Sequence, residues 1–291
     1  MRSEVPFQDM APVKETLIGI LRRVHLYEPL RGLHFDIQTF LQWCRYAADF
    51  NTHFRNARYR KKGAADGLPL PSTRMVYLVT GQYSLERFYD IGRTSVECIT
   101  GILKKNGLDI SRFETILDFG CGCGRVMRHW HSLSGPRLYG TDYNPYPISW
   151  CHAALPFAEF GTNDSRSPLP YKDNSLDFIY AISVLSHLNH ALQVYWMREL
   201  LRVLKPGGYF YMTVPGRDLT TRLSALDRNT FSDGNVVVLS GNRVGTNACI
   251  AYTPETYVRQ VLAKGFEIVD FLERGALDAQ QDVFLMKKPV F

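Results

Sequence analysis

The sequence predicts an α/β fold: a doubly wound, mostly parallel sheet preceded by a helical cap. Three observations carry this. From residue 115 onward, short apolar runs alternate with helix-sized segments, the rhythm of strand–helix–strand units. The last two runs stand too close together for a crossover helix, so the final strand is expected to be antiparallel. Before residue 105, apolar residues recur at helical spacing instead. The expected division is a helical extension over 1–105 and an α/β domain over 106–291, with an insertion at about 215–253.

In chain order, Val13 to Leu26 carries Val13, Leu17, Ile20, Leu21 and Val24 with charged residues between them, and Phe35 to Phe50 repeats the pattern. A basic stretch follows (Arg55, Arg58, Arg60, Lys61 and Lys62), read as a solvated loop, and then GLPLPSTR, a Pro/Gly-punctuated connection. Ser84 to Leu103 reads as a helix stopped at Asn106-Gly107. The expected strands are Thr115–Phe119, Arg137–Asp142, Glu159–Asn163, Leu176–Ser183, Gly208–Val214, Phe266–Leu272 and Asp282–Lys288. A helix over His190–Leu204 closes with LKPGG, and VVVLSGNRVGTNACIAY is expected to fold as a hairpin over the carboxyl edge of the sheet.

Composition narrows the class. In 291 residues, 45% hydrophobic and 21% charged content is that of an ordinary soluble globular protein. No uninterrupted apolar run is long enough to span a membrane, and no signal-peptide pattern opens the chain. The six cysteines are scattered, which is no disulfide framework, so a reducing cytoplasm is expected. Net charge is +6, but five of those charges lie in the window Arg55–Lys62. That makes a solvated basic segment the plainer reading, with an anionic substrate or nucleic acid as the alternative.

The chemistry centres on TILDFGCGCGRVMRHW, residues 115–130. An apolar strand runs to Asp118 and breaks into Gly120, Gly122 and Gly124, where the backbone can turn sharply and lie against a ligand. The third glycine of the dinucleotide fingerprint falls one residue later, where Arg125 stands, so the spacing suits a cofactor without a pyrophosphate. S-adenosylmethionine has the matching parts. Asp118 would favour its cationic amino acid end, and Asp142, at the end of the second strand, would accept the ribose hydroxyls. Tyr143 could lie on the adenine face, and Asn163 or Asp164 could take the adenine amino group.

At these residues GCGCGR, YGTDYNP, PLPYKDNSLDFIYAISVLSHL and LLRVLKPGG resemble the successive motifs of class I S-adenosylmethionine-dependent methyltransferases. They are most similar to the bacterial type 11/12 or domain 25 group. The resemblance spans roughly residues 80–288 and implies a Rossmann-like, seven-stranded sheet with an antiparallel last strand. It also implies S-adenosyl-L-methionine as donor and S-adenosyl-L-homocysteine as product. Asp118, Gly120, Gly122 and Gly124 match the first motif, Asp142 the ribose acid, and Asn163 or Asp164 the adenine contact. GQYSLERFYDIG, residues 81–92, resembles a helix that closes over the cofactor, which makes Tyr83 and Phe88 expected contacts. The first sixty residues match nothing in that family.

Methyl transfer from a sulfonium depends on placement and exclusion of water, and an oxygen nucleophile also needs a base. His187, in SVLSHL, is the candidate base, although the same position suits a packing histidine; His152 and His190 are weaker candidates. Tyr83, Phe88 and Tyr252 are expected to help line an acceptor pocket. No metal site is expected: Cys121 and Cys123 belong to the glycine loop, and no CxxC pair accompanies His129 and His131. The expected reaction is O-methylation of a small hydroxylated metabolite, or of a sugar or glycoconjugate as the family suggests. The alternatives are N- or C-methylation of a small molecule, including an isoprenoid diphosphate, or a protein or nucleic-acid methyltransferase docking through 55–62. The expected partner is a small-molecule acceptor rather than nucleic acid, and a homodimer is allowed.

Overall fold

The computed structural model describes residues 11–290, so the first ten residues of the expected extension lie outside the described residues. Seven strands form one sheet: β1 (Thr115–Phe119), β2 (Arg137–Asp142), β3 (Glu159–Thr162), β4 (Leu176–Ala181), β5 (Leu204–Val214), β8 (Glu267–Ala276) and β9 (Gln281–Lys287). Their order is β3-β2-β1-β4-β5-β9-β8. β1 to β5 pair in parallel, whereas β9 runs antiparallel to both β5 and β8. All five residues of β1 are buried, as expected for a central parallel strand covered on both faces. β5 starts earlier than expected, taking in LKPGG, and its register with β4 shifts between Leu176 and Phe178.

Helices cover both faces. α6 (Pro145–Ala154) and the C-terminal part of α5 (Leu85–Lys105) pack on one side, and α7 (His190–Val203) on the other. α9 (Glu255–Tyr257), carried on as a π-helical turn over Val258–Leu262, packs beside α7. The segment from Arg125, whose place after the strand and glycine loop reads as the start of a helix, forms no α-helix. The chain turns through Arg125 and forms only a 3-10 turn, Met127–Trp130.

The N-terminal part is helical: α1 (Ala11–Arg23), α2 (Tyr27–Ala48), α3 (Phe50–Lys62) and α4 (Thr73–Thr80) precede α5. The basic stretch is therefore the end of a helix and not a loop. Asp49 caps α3 by accepting the Thr52 N–H at 3.0 Å, and Arg60, Lys61 and Lys62 sit in its last turn, where cations suit the helix dipole. Arg60 also donates to the Leu70 and Pro71 carbonyls, pinning the connection that follows. α4 lies just past that connection, started by Ser72 accepting the Met75 N–H and stopped by a left-handed Gly81.

Residues 215–253 form the insertion: a 3-10 segment Arg217–Arg222, α8 (Ala225–Ser232) and the hairpin β6 (Val237–Leu239) with β7 (Ile250–Tyr252). Leu223, Phe231, Val237, Leu239 and Tyr252 close a small core of their own. The first two helices grip this unit by polar contacts. Arg22 meets both oxygens of Asp227 at 2.8 Å, Glu15 accepts the Ala225 N–H, and Glu28 accepts the Ser240 N–H. Arg243 reaches back to Asp36 at 2.7 Å and to the Gly32 carbonyl at 3.2 Å.

Candidate active site

A cavity of about 290 Å³ opens at the carboxyl edge of the sheet, where ligands bind in open α/β sheets. Across that edge, from β3 through β2 and β1 to β4, it meets Asn163, then Asp142 and Tyr143, then Asp118 with the glycine loop, then Ser183, Val184 and His187. Asp118, Gly120, Gly122, Asp142, Tyr143, Asn163 and His187 are thus brought to one cavity.

Gly120, Gly122 and Gly124 all take positive φ (79°, 54° and 70°), which side chains rarely adopt. Two of them have distinct duties. A Cβ on Gly122 would strike Val79 of α4, so the bare backbone lets the cap close on the loop. Gly124 does not line the cavity; a Cβ there would meet Leu155 and Cys151 at the end of α6, so its duty is packing. The third glycine of the expected cofactor set therefore supports the loop from behind.

Asp118 is buried, and burial pushes its carboxyl up to about 7, against the Tyr180 hydroxyl and the Arg125 charge. Tyr180 in turn receives the Trp130 indole N–H at 3.2 Å. The other Asp118 oxygen, Oδ2, has no partner within the protein, an arrangement that would normally be costly. Asn163 likewise has a buried, unpartnered Oδ1, its Nδ2 donating to the Asp164 carbonyl at 3.3 Å. Asp142 accepts the Gly122 and Asn144 N–H groups, each at 2.9 Å; burial raises its carboxyl and these two bonds oppose the rise. Each of its oxygens keeps acceptor capacity for a further hydroxyl.

This set fits S-adenosylmethionine: an unpaired carboxylate oxygen for an ammonium, a held carboxylate for a ribose, and an unpaired amide oxygen for an adenine amino group. Asp164 does not join it. Asp164 is exposed and receives the Ser167 hydroxyl, so of the two adenine candidates only Asn163 reaches the cavity.

The three aromatic residues expected at the acceptor pocket lie elsewhere. Tyr83 stacks between Tyr46 and Tyr77, with centroids at 3.9 and 4.6 Å. Phe88 is buried with Met75, Val76 and Leu85, beneath the cap, and Tyr252 belongs to the core of the insertion. None of them lines the cavity. In their place the structure supplies Leu78 and Val79 from α4, Leu188, Leu192 and Trp196 around α7, and Val244 to Asn247 from the hairpin loop. The Ser72 cap and Gly81 stop were the sequence signals that could have found α4.

The hairpin does cross the carboxyl edge, and its loop is fastened on three sides. The Gly245 N–H donates to the His187 carbonyl at 2.8 Å, Asn247 Nδ2 donates to the Leu78 carbonyl at 3.3 Å, and a Cβ on Gly245 would press into the Tyr143 ring. His187 sits beneath this cover in the 3-10 turn Leu185–His187. Its Nδ1 lies 2.8 Å from the Cys249 carbonyl, which can only accept. The proton is therefore on Nδ1, and Nε2 is the unprotonated, basic nitrogen. Burial lowers the imidazole pKa, with the Cys249 and Thr246 carbonyls working the other way. The other histidines are not in the cavity: His190 Nδ1 meets the Tyr257 hydroxyl, and His152 faces Phe160 edge-on. Among the described residues no group of acids, histidines and cysteines is placed to hold a metal ion.

One further residue of the cavity wall is constrained unusually. Ser183, just past β4, has φ 61° and is held by a buried polar network. Its N–H donates to Thr213 Oγ1, which donates to Gln281 Oε1; Gln281 Nε2 returns to Ser183 Oγ. Removing the amide in Gln281→Ala strands Thr213 and releases Ser183. A loss of about 1–3 kcal/mol in stability is expected, read from the shift of a urea unfolding midpoint.

With this geometry established, comparison with known proteins gives a consistent class. Residues 117–212 match the family model described as a methyltransferase domain. Together with the sheet order and the carboxylates at β1 and β2, this makes residues 117–212 a methyltransferase domain of the class I, S-adenosylmethionine-dependent kind. The chain is 35% identical over 100 residues to sterol 24-C-methyltransferase erg6 of Schizosaccharomyces pombe, covering 33% of this chain and 26% of that enzyme. It is 32% identical over 108 residues to methyltransferase GfsG of Streptomyces halstedii, covering 35% and 37%. The matches thus span well under half of these relatives' lengths. In fold, a crystal structure from Pyrococcus horikoshii aligns with a TM-score of 0.50 at 20% identity, over 68% of this chain and 91% of that one. No helix among the described residues is long and apolar enough to cross a membrane.

Proposed function

We propose that the protein transfers the methyl group of S-adenosylmethionine to the hydroxyl oxygen of a small, largely apolar acceptor. The observation that carries this is one covered cavity holding unpaired acceptor atoms for the cofactor, Asp118 Oδ2 and Asn163 Oδ1, together with a histidine in its basic tautomer. When bound, S-adenosylmethionine supplies a methyl carbon made electrophilic by the sulfonium. Asp118 and Asn163 would hold its two ends, and Asp142 the ribose between them. His187 Nε2 would accept the proton of the acceptor hydroxyl. The loop 244–247 excludes water from the transfer. The lining beyond β4 includes Val184, Leu188, Leu192 and Val244, which favours an aliphatic or aromatic alcohol over a free sugar.

The likeness to sterol 24-C-methyltransferases supports a second reading, methylation at carbon. Screening with methyl-labelled donor separates the two: label in alcohols or phenols supports the first, label confined to alkenes the second.

Cofactor binding is tested by calorimetry with S-adenosylhomocysteine. Asp142→Ala is expected to weaken binding by about tenfold or more, roughly 1.4 kcal/mol, without loss of fold. Binding should also release protons near pH 7. Asp118, pushed up to about 7 when free, is drawn down by the ligand's ammonium and gives up its proton. The binding enthalpy should therefore vary with the ionisation enthalpy of the buffer. A buffer-independent enthalpy would remove Asp118 from the ammonium site.

A further inference from the structure

Among the described residues, the first two helices leave a large apolar surface without a partner, and its pattern identifies what covers it. Leu26, just before α2, and Leu30, Leu33, Ile37, Phe40 and Cys44 along that helix follow one another at steps of four and three. That is the seam of a helix packed along another helix. Its other side is already committed to this chain: Glu28, Arg31 and Asp36 bind the insertion, while Gln42 donates to the Gly81 carbonyl and Tyr46 stacks on Tyr83. Leu17, Ile20 and Val24 extend the apolar surface onto α1, and Leu41 and Trp43 flank it.

Cys44 is half-buried; the ten other side chains, all large and apolar, are each between 42% and 61% exposed. Together they present on the order of 1,000 Å², against the roughly 800 Å² per partner of a standard stable interface, and more than a monomer ordinarily leaves in one patch. We infer that this face of α1 and α2 is a self-association surface, covered by the same face of a second copy of the chain. A helix lying on an anionic bilayer would carry cations along the rim of its apolar side. Between Leu26 and Cys44 the only Lys or Arg is Arg31, and it points to Ser240; on α1, Arg22 is held by Asp227, and Arg23 stands beside Val24. A self-complementary seam without charges is what a two-fold contact requires, because each side must accept its own copy.

The consequence reaches the active site. The helix that carries the seam also holds Arg243 through Gly32 and Asp36, two residues before Gly245, which covers His187 and Tyr143. Pairing of two copies would therefore steady the loop that closes the cavity. This last link rests on the function proposed above; the association itself does not.

The test is sedimentation equilibrium on the full chain at micromolar concentration. The wild type is expected at twice its 33.3 kDa chain mass. The double variant Leu33→Glu, Ile37→Glu should raise the dissociation constant by about 100-fold or more, with an unchanged circular dichroism spectrum, since both side chains are exposed in one copy. Ile37, at the middle of the seam, faces its own counterpart across a two-fold axis. In a Cys44→Ser background, Ile37→Cys is therefore expected to form an interchain disulfide under mild oxidation, whereas Leu277→Cys, exposed on the far β8–β9 turn, is not. A monomeric wild type overturns the inference, as does a double variant that still pairs. A monomer that cosediments with phosphatidylcholine–phosphatidylglycerol vesicles would assign the face to a lipid surface instead. Cofactor titration of the same samples keeps this outcome separate from the methyltransferase reading, because a monomer can still bind S-adenosylhomocysteine.

Discussion

Asp66→Ala is expected to cost the protein about 3–5 kcal/mol of stability, the loss typical of breaking a buried ion pair from one side. Arg128 is fully buried and Asp66 nearly so, with Nε to Oδ2 at 2.6 Å and Nη2 to Oδ1 at 2.9 Å. Burial alone would raise the Asp66 carboxyl, but the bonds from Arg128 and the Leu68 N–H outweigh it and hold the group below its ordinary value. A depressed folded pKa means this stabilisation is present above the unfolded value, about 3.9, and is lost as pH falls through the folded one. The variant should therefore differ most from wild type near neutrality and converge with it in acid. Without Asp66, the guanidinium is left with the Leu68 carbonyl and the rings of Phe88 and Tyr89, which cannot replace a carboxylate. Because Asp66 lies in the connection to α4, whose Val79 rests on Gly122, cofactor affinity should fall with stability. Urea unfolding of the single variants and of Asp66→Leu, Arg128→Met tests this. The double variant should be more stable than either single one, and an unshifted midpoint for Asp66→Ala would show the pair to be dispensable.

That pair also shows where sequence reasoning stops. The central strands were legible because each is a short apolar run buried on at least one face; β3 and β8, which bury little, were placed by the rhythm of the chain, and all seven stand within a few residues of expectation. Asp118, Asp142 and Asn163 were legible because the end of a parallel strand has a fixed place at the sheet edge. Asp66 and Arg128 were not, since 62 positions separate them and neither belongs to a local pattern. The same holds for Leu78 and Gly245, which meet the cofactor loop and His187 only through tertiary packing. Tyr83, Phe88 and Tyr252 failed for another reason: an aromatic side chain fits a packed cluster and a pocket equally well, and here Phe88 and Tyr252 went to cores and Tyr83 to a ring stack with Tyr46 and Tyr77. Asn163 and Asp164 are neighbours of similar chemistry, and only strand direction decides which one turns inward. The basic segment was read as a loop on its charge alone, whereas the Asp49 cap and a run of good helix formers make it a helix.

His187→Ala is expected to lower kcat by 10²- to 10⁴-fold, the usual contribution of a positioned base, while binding of S-adenosylhomocysteine stays near the wild-type value. The expectation follows from the tautomer. With Nδ1–H given to the Cys249 carbonyl, Nε2 keeps its lone pair. Burial lowers the pKa, so the neutral, basic ring already predominates at pH 7. The acidic limb of the kcat profile should accordingly lie below the ordinary histidine value of about 6.5, and it should vanish in the variant. His187→Asn separates catalysis from support, because its amide can still donate to the Cys249 carbonyl but cannot act as a base. If His187 only props the 245–249 loop, His187→Asn should retain most of the activity. If it takes the proton, His187→Asn should be as slow as His187→Ala, and a phenol already ionised at the assay pH should be methylated by both variants at close to the wild-type rate. Restoration by an ionised acceptor has no counterpart in a purely structural role, so that comparison decides between the two.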